Sequence, residues 1–144
     1  MRIAVDFDGT IVEHRYPEIG PERSMATHVL RQLQADGHQL ILWTVRKDQL
    51  LNDAIAWCRE RGVEFYAVNA NHEGETDNEE SFSRKITYDI VIDDRNIGGL
   101  PHWSVIYQLI HRRCSLEHLI RRDVEEQMRQ AAEQQKKRHW WNRG

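Results

Sequence analysis

The chain has 144 residues, 40% of them hydrophobic and 30% charged, which fits one globular domain with room for a terminal appendage. No run approaches the ~20 apolar residues a membrane helix needs, and Met1-Arg2-Ile3-Ala4-Val5 is too short for a signal peptide before Asp6 interrupts it. Cys58 and Cys114 stand far apart and make neither a disulfide framework nor a zinc site. These features lead us to expect a cytoplasmic protein with no membrane partner.

The net charge of −3 is unevenly spread. Residues 1–103 carry 11 basic against 18 acidic side chains, and residues 104–144 carry 9 against 5. An acidic body with a basic tail hints at an anionic partner for the tail, although a solvated basic helix explains the same charges.

Arg2 to Phe7 reads as a buried strand that stops at an acidic motif. Ser24 to Asp36 carries Met25, Val29, Leu30 and Leu33 at helical spacing, and Gly37 suits its C-terminal cap. Gln39 to Trp43 is a second apolar strand, ending at Thr44. A helix over Asp48 to Arg61 follows, closed by Gly62. Val63 to Val68 is the third expected strand, 69–84 a polar loop, and Tyr88 to Ile92 a fourth strand that ends at Asp93-Asp94. After Gly98-Gly99-Leu100-Pro101 a helix begins near Ser104.

Strand and helix alternate, and the strands are nearly continuous apolar runs. That pattern predicts an α/β fold, a doubly wound parallel sheet covered on both faces, with a C-terminal helical tail. The expected division is a body over residues 1–114 and a tail over 115–144. The tail stripe Leu116, Leu119, Ile120, Val124, Met128 and Ala131 suits docking on the body, and equally a seam between two copies. Lys136-Lys137-Arg138 and Trp140-Trp141 end it in basic and aromatic residues.

Ligands of open parallel sheets bind beyond the carboxyl ends of the strands. The first, second and fourth strands end at Asp6-Phe7-Asp8, Thr44 and Asp93-Asp94, with Lys85 just before the fourth. Four carboxylates crowded at one edge repel one another unless cations neutralise them. Oxygen donors without sulfur or histidine favour a hard cation, and Mg²⁺ is the usual one beside phosphate. The eight histidines show no metal-ligand spacing.

The whole set resembles the haloacid dehalogenase (HAD) phosphatase superfamily and its Rossmann-like fold. Asp6-Phe7-Asp8-Gly9-Thr10 matches its first motif, Thr44 its second, Lys85 its third and Asp93-Asp94 its fourth, in the family's order across residues 6–94. The resemblance implies that Asp6 attacks phosphorus to form an aspartyl-phosphate, and that Asp8 protonates the leaving oxygen. It implies that Gly9 and Thr10 let the backbone turn closely round the phosphate, and that Thr44 and the Val45 amide bind phosphoryl oxygens. Lys85 would offset negative charge on nucleophile and phosphate. Mg²⁺ would sit between Asp6, the carbonyl of Asp8 and the acids Asp93 and Asp94, with Asp94 the direct ligand and Asp93 acting through water. In the same family, the dehalogenase, phosphonatase and transport-ATPase branches generally lack a carboxylate two residues after the nucleophile, so Asp8 favours phosphate-ester chemistry.

Arg46 and Asn69 are candidate substrate contacts, with capping or surface roles as alternatives. Arg95 and Asn96 are expected to brace the loop after the fourth strand. Family members often roof the site with a cap domain. Here about a dozen residues separate Thr10 from the first helix and fifteen lie between Asn69 and Lys85, too few for a core of roughly 40 or more. The expectation is a capless, Mg²⁺-dependent phosphomonoesterase acting on a phosphorylated substrate. The alternatives are a phosphotransferase and a metal-binding regulatory module of weak turnover. Homo-oligomerisation through the tail is compatible with the sequence, whereas no stacking platform supports nucleic-acid binding.

Overall fold

A computed structural model of the chain describes residues 1–78 and 82–141, with the side chains of 138–141 outside the description. Trp140 and Trp141, singled out above as an aromatic end, therefore lie outside the described side chains. The chain divides into two compact units, Met1–Ser104 and Val105–Gly144; the sequence-based division at 114/115 sits further along the chain.

The first unit is built on a parallel sheet of β1 (Arg2–Val5), β2 (Gln39–Leu42), β3 (Ala67–Val68) and β4 (Ile90–Ile92) in the order β3-β2-β1-β4. β1 is central, with Ala4 opposite Ile41 on one side and Val91 on the other. Ile3, Ala4, Val5, Ile41 and Leu42 are fully buried, which is why these strands read as unbroken apolar runs rather than alternating ones. Strand order reverses between β1 and β4, leaving a switch point at their carboxyl ends where open α/β sheets bind ligands. This is the predicted α/β fold, with flanking helices and a C-terminal helix.

α1 (Ala26–Ala35) and α2 (Asp48–Glu60) connect the first three strands. Both stop through the same device. Gly37 (φ 82) and Gly62 (φ 75) take the left-handed conformation, and their amides bond Gln34 O and Arg59 O at 2.9 Å. The next amides, His38 and Val63, reach back to Leu33 O and Cys58 O at 3.0 Å, completing Schellman motifs. At its start α1 is capped from outside: Glu22 Oε1 accepts the Thr27 amide at 2.9 Å and the Thr27 hydroxyl at 2.6 Å. Cys58 is buried, and that burial pushes its thiol up to about 12, so it is a packing residue.

The third strand is shorter than the expected Val63 to Val68. Leaving the Gly62 turn, Glu64 gives its amide to Gln34 Oε1 on α1 at 3.2 Å. The chain first meets the sheet edge at Tyr66, whose amide bonds Leu40 O at 2.8 Å.

In the second unit α3 (Trp103–Arg112) ends and α4 (Leu116–Trp141) runs to the end of the description. Ser115 caps α4 by accepting the His118 amide on its hydroxyl at 3.2 Å. Along the predicted stripe Leu119 is buried, whereas Leu116, Ile120, Val124 and Met128 are exposed. No helix among the described residues is long and apolar enough to cross a membrane.

Candidate active site

β1 and β4 deliver the acids side by side. The Asp6 amide continues the β1–β4 ladder with a 3.0 Å bond to Ile92 O, so its side chain leaves the sheet at the switch point. Asp93 and Asp94 follow β4 directly. One carboxylate oxygen from each of Asp6, Asp93 and Asp94 lies within 4.8 Å of the others.

The turn after Asp6 holds this cluster from beneath. The amides of Thr10, Ile11 and Val12 converge on Phe7 O at 3.0–3.3 Å, and the Gly9 amide bonds Val12 O at 2.8 Å. Buried Thr10 then ties the two strands together. Its hydroxyl donates to Asp6 Oδ2 at 3.2 Å and accepts the Asp94 amide at 3.0 Å. Trp103 closes the turn from outside with an indole N–H bond to Thr10 O at 3.1 Å. The amides of Gly9 and Thr10 are thus engaged within the turn. Gly9 also serves by shape, because any Cβ there would collide with the Asp94 carboxylate.

Burial, with the charges of Asp93 and Asp94, pushes the Asp6 carboxyl up to about 6 from its ordinary 3.8, against opposing bonds from the Phe7 amide and the Thr10 hydroxyl. Three acids held this close are a favourable setting for a cation. The donors are all hard oxygens, which fits Mg²⁺ and does not fit a sulfur-seeking metal.

Asp8 stands apart from the cluster. Arg46 donates Nε–H to Asp8 Oδ2 and an Nη2–H to Oδ1, each at 2.7 Å, and the pair is buried. Nη1 and Nη2 also donate to Pro17 O and Glu18 O, each at 2.9 Å. Arg46 is therefore not the exposed substrate contact the sequence suggested. With its charge matched by Asp8 and its edges satisfied by carbonyls, it can be 1% exposed without the usual cost of burying a charge.

Asn69 borders the cavity and is also tied to the frame. Its Oδ1 accepts the Thr44 amide and its Nδ2 donates to Thr44 O, both at 2.8 Å, extending the β2–β3 ladder by a side-chain imitation of a strand. The Thr44 hydroxyl accepts the Arg46 amide at 3.2 Å. Val45 projects outward, 81% exposed, at the rim.

Lys85 is the clearest departure from expectation. Its ammonium lies 6.0 Å from the Tyr88 ring centre, and it does not line the cavity above Asp6 and Asp93. The cavity receives Arg84 instead, and Arg95 from beyond Asp94. Arg95 also gives its amide to Asp93 Oδ1 at 2.7 Å, and Asn96 Nδ2 bonds Asp93 O at 2.8 Å, so this loop is braced in the manner expected.

The cavity has a volume of about 620 Å³, within the usual range for small-molecule sites. Asp6, Asp8 and Asp93 form its acidic side, and Thr44, Val45 and Asn69 another side. His14, Tyr16, Trp43 and Phe82 complete it, none of which the sequence reading placed there. Tyr16 lies in a polar stretch without periodicity, and Trp43 reads as the last residue of a buried strand. Only the adjacency of Arg84 to Lys85 and of Arg95 to Asp94 offered a signal.

Fold and site together define a parallel α/β protein with a carboxylate cluster at its switch point. No protein-family model and no curated protein matches the chain. A solved structure of a conserved protein from Bacteroides thetaiotaomicron is 53% identical, covering 81% of this chain and 94% of that one, with a TM-score of 0.78. The chain belongs to the same family as that bacterial protein.

Proposed function

We propose that this protein is a Mg²⁺-dependent phosphohydrolase of the HAD type, with Asp6 as nucleophile. The observation that carries the reading is the convergence of Asp6, Asp93 and Asp94 at the switch point, tied by the Thr10 hydroxyl. Asp6, Asp93 and Asp94 would hold the cation, which when bound neutralises phosphoryl charge. Asp6 faces the cavity and supplies the attacking oxygen for an aspartyl-phosphate. Thr44 and Val45 border the same space, and Arg84 and Arg95 bring positive charge to it where Lys85 does not. Transfer to an acceptor other than water is the enzymatic variant of this reading.

A second reading, a metal-binding module of weak turnover, draws on the absence of Lys85 from the residues that line the cavity. A panel of phosphoryl compounds, assayed with Mg²⁺ and with EDTA, separates the two. The phosphohydrolase reading requires Mg²⁺-dependent phosphate release and an acid-stable phospho-enzyme lost in Asp6→Asn. Magnesium binding without turnover of any compound would favour the module.

A further inference from the structure

An ester mechanism needs Asp8 as a proton donor, yet both Asp8 oxygens are already occupied. Arg46 grips them in a fork of two 2.7 Å bonds, with side-chain exposures of 0% and 8% for the pair. The guanidinium is held by carbonyls as well: Nη1 donates to Pro17 O and Nη2 to Glu18 O, each at 2.9 Å. The rings of Phe7 and Tyr16 lie 5.1 and 5.4 Å from its central carbon. Its backbone is set by the Thr44 hydroxyl, 3.2 Å from the Arg46 amide.

We propose that Arg46 is a positioning residue that withholds Asp8 from the leaving group. The site would then act on phosphoryl donors whose leaving oxygen departs as a stable anion. Acyl phosphates and phosphoric anhydrides share that chemistry; alkyl phosphate esters lack it. The inference rests on Asp6 being the nucleophile of a phosphohydrolase.

A general acid must turn an O–H towards the leaving oxygen at hydrogen-bond range. Turning Asp8 that way breaks a bidentate, charge-assisted fork. It also leaves a buried guanidinium with two carbonyls and no countercharge, the kind of loss that buried pairs resist. A leaving group that needs no proton avoids this obstacle. An Asp6 oxygen attacks phosphorus, the bond to the leaving oxygen breaks, and its electron pair departs on a carboxylate or phosphate anion. Water then attacks the aspartyl-phosphate. The bond to Asp6 breaks to restore its carboxylate, and both water protons leave on inorganic phosphate as H₂PO₄⁻.

The test is a leaving-group series on the full chain with Mg²⁺: acetyl phosphate, aryl phosphates of graded leaving-group acidity, and glycerol phosphate. The wild type should favour acetyl phosphate over glycerol phosphate by at least ~10²-fold in kcat/KM, the lower end of what a general acid contributes. Arg46→Gln, which releases an Asp8 oxygen, should narrow that gap, and Arg46→Lys should narrow it less. A merely structural Arg46 would lower every substrate by one factor and leave the gap unchanged, which overturns the proposal. Should Arg46→Gln fail to fold, the wild-type series still decides, because glycerol phosphate turned over as fast as acetyl phosphate overturns it alone. Absence of turnover across the series overturns the phosphohydrolase reading as well, so the two failures are told apart.

Discussion

Gly9 and Asp94 approach so closely that a Cβ on residue 9 would stand 2.7 Å from the Asp94 carboxyl carbon. Gly9 also has φ 90, where a side chain is strained whatever the space. The turn after β1 and the loop after β4 are thus fitted to each other directly, and the absence of one methyl group lets the Asp94 carboxylate reach that turn.

Gly9→Ala should therefore damage the cluster more than the fold. Asp94 must move, and the Thr10 hydroxyl loses its alignment with both Asp6 and the Asp94 amide. We expect Mg²⁺ affinity, read by calorimetry, to fall at least about tenfold, equivalent to roughly 1.4 kcal/mol. Far-UV circular dichroism should stay native. Unchanged affinity would show that Asp94 is not needed for the cation.

Asp6→Asn tests the nucleophile. An amide is a poor attacking group and a poorer cation ligand, so turnover and phospho-enzyme should both disappear. The substitution also removes a carboxylate whose charge is disfavoured by burial and by Asp93 and Asp94, which push Asp6 up to about 6. The variant should consequently be at least as heat-stable as the wild type without metal. Retained phosphatase activity would refute the mechanism.

The same shift sets a pH dependence. An acid whose folded value is raised from 3.8 to about 6 is stabilising below its unfolded value, and that contribution is lost as pH rises through about 6. Metal-free protein should lose this part of its stability between about pH 4 and 6. A cation that needs the ionised form competes with the proton, so the Mg²⁺-induced rise in Tm should be small near pH 5 and full above pH 7. An equal rise at both pH values would exclude Asp6 from the metal site.

Much of this was legible in the sequence for a physical reason. Apolar runs that stop at Asp6, Thr44 and Asp93 fix both the strands and the edge where the acids emerge, and Gly37 and Gly62 mark helix ends through their backbone freedom. What stayed hidden depends on distant partners. Arg46 reads as a substrate contact, a cap or a surface charge until Asp8 and the carbonyls of residues 17 and 18 are brought round it. Asn69 reads as a loop residue until its amide is set against Thr44. Lys85 and Arg84 differ by one position, and only the path of the chain before β4 decides which of them faces the acids.

Asn69 should prove structural rather than substrate-binding. Its two bonds to Thr44 hold the carboxyl end of β2, and its φ of 51 suits asparagine better than most side chains. Asn69→Ala forfeits both bonds and strains the backbone, and should cost about 1–3 kcal/mol. Denaturant unfolding would measure it. A loss of turnover at unchanged stability would return Asn69 to the list of substrate contacts.

The last prediction concerns α4, whose stripe divides by burial. Leu119 is 8% exposed, whereas Val124 and Met128 are 45% and 68% exposed. Truncating Leu119 removes packed methyl groups and leaves a gap, so Leu119→Ala should cost about 2–5 kcal/mol, nearer the lower figure at a rim position. Val124→Gln and Met128→Gln exchange exposed apolar surface for polar surface, which ordinarily changes stability by no more than about 0.5 kcal/mol. Thermal unfolding at two protein concentrations separates this from self-association. A stripe covered by a second copy would make Tm rise with concentration in the wild type, and the Val124 and Met128 substitutions would remove that rise. We expect a concentration-independent Tm and near-wild-type stability for both. A concentration-dependent Tm abolished by Met128→Gln would instead make α4 the seam between two subunits.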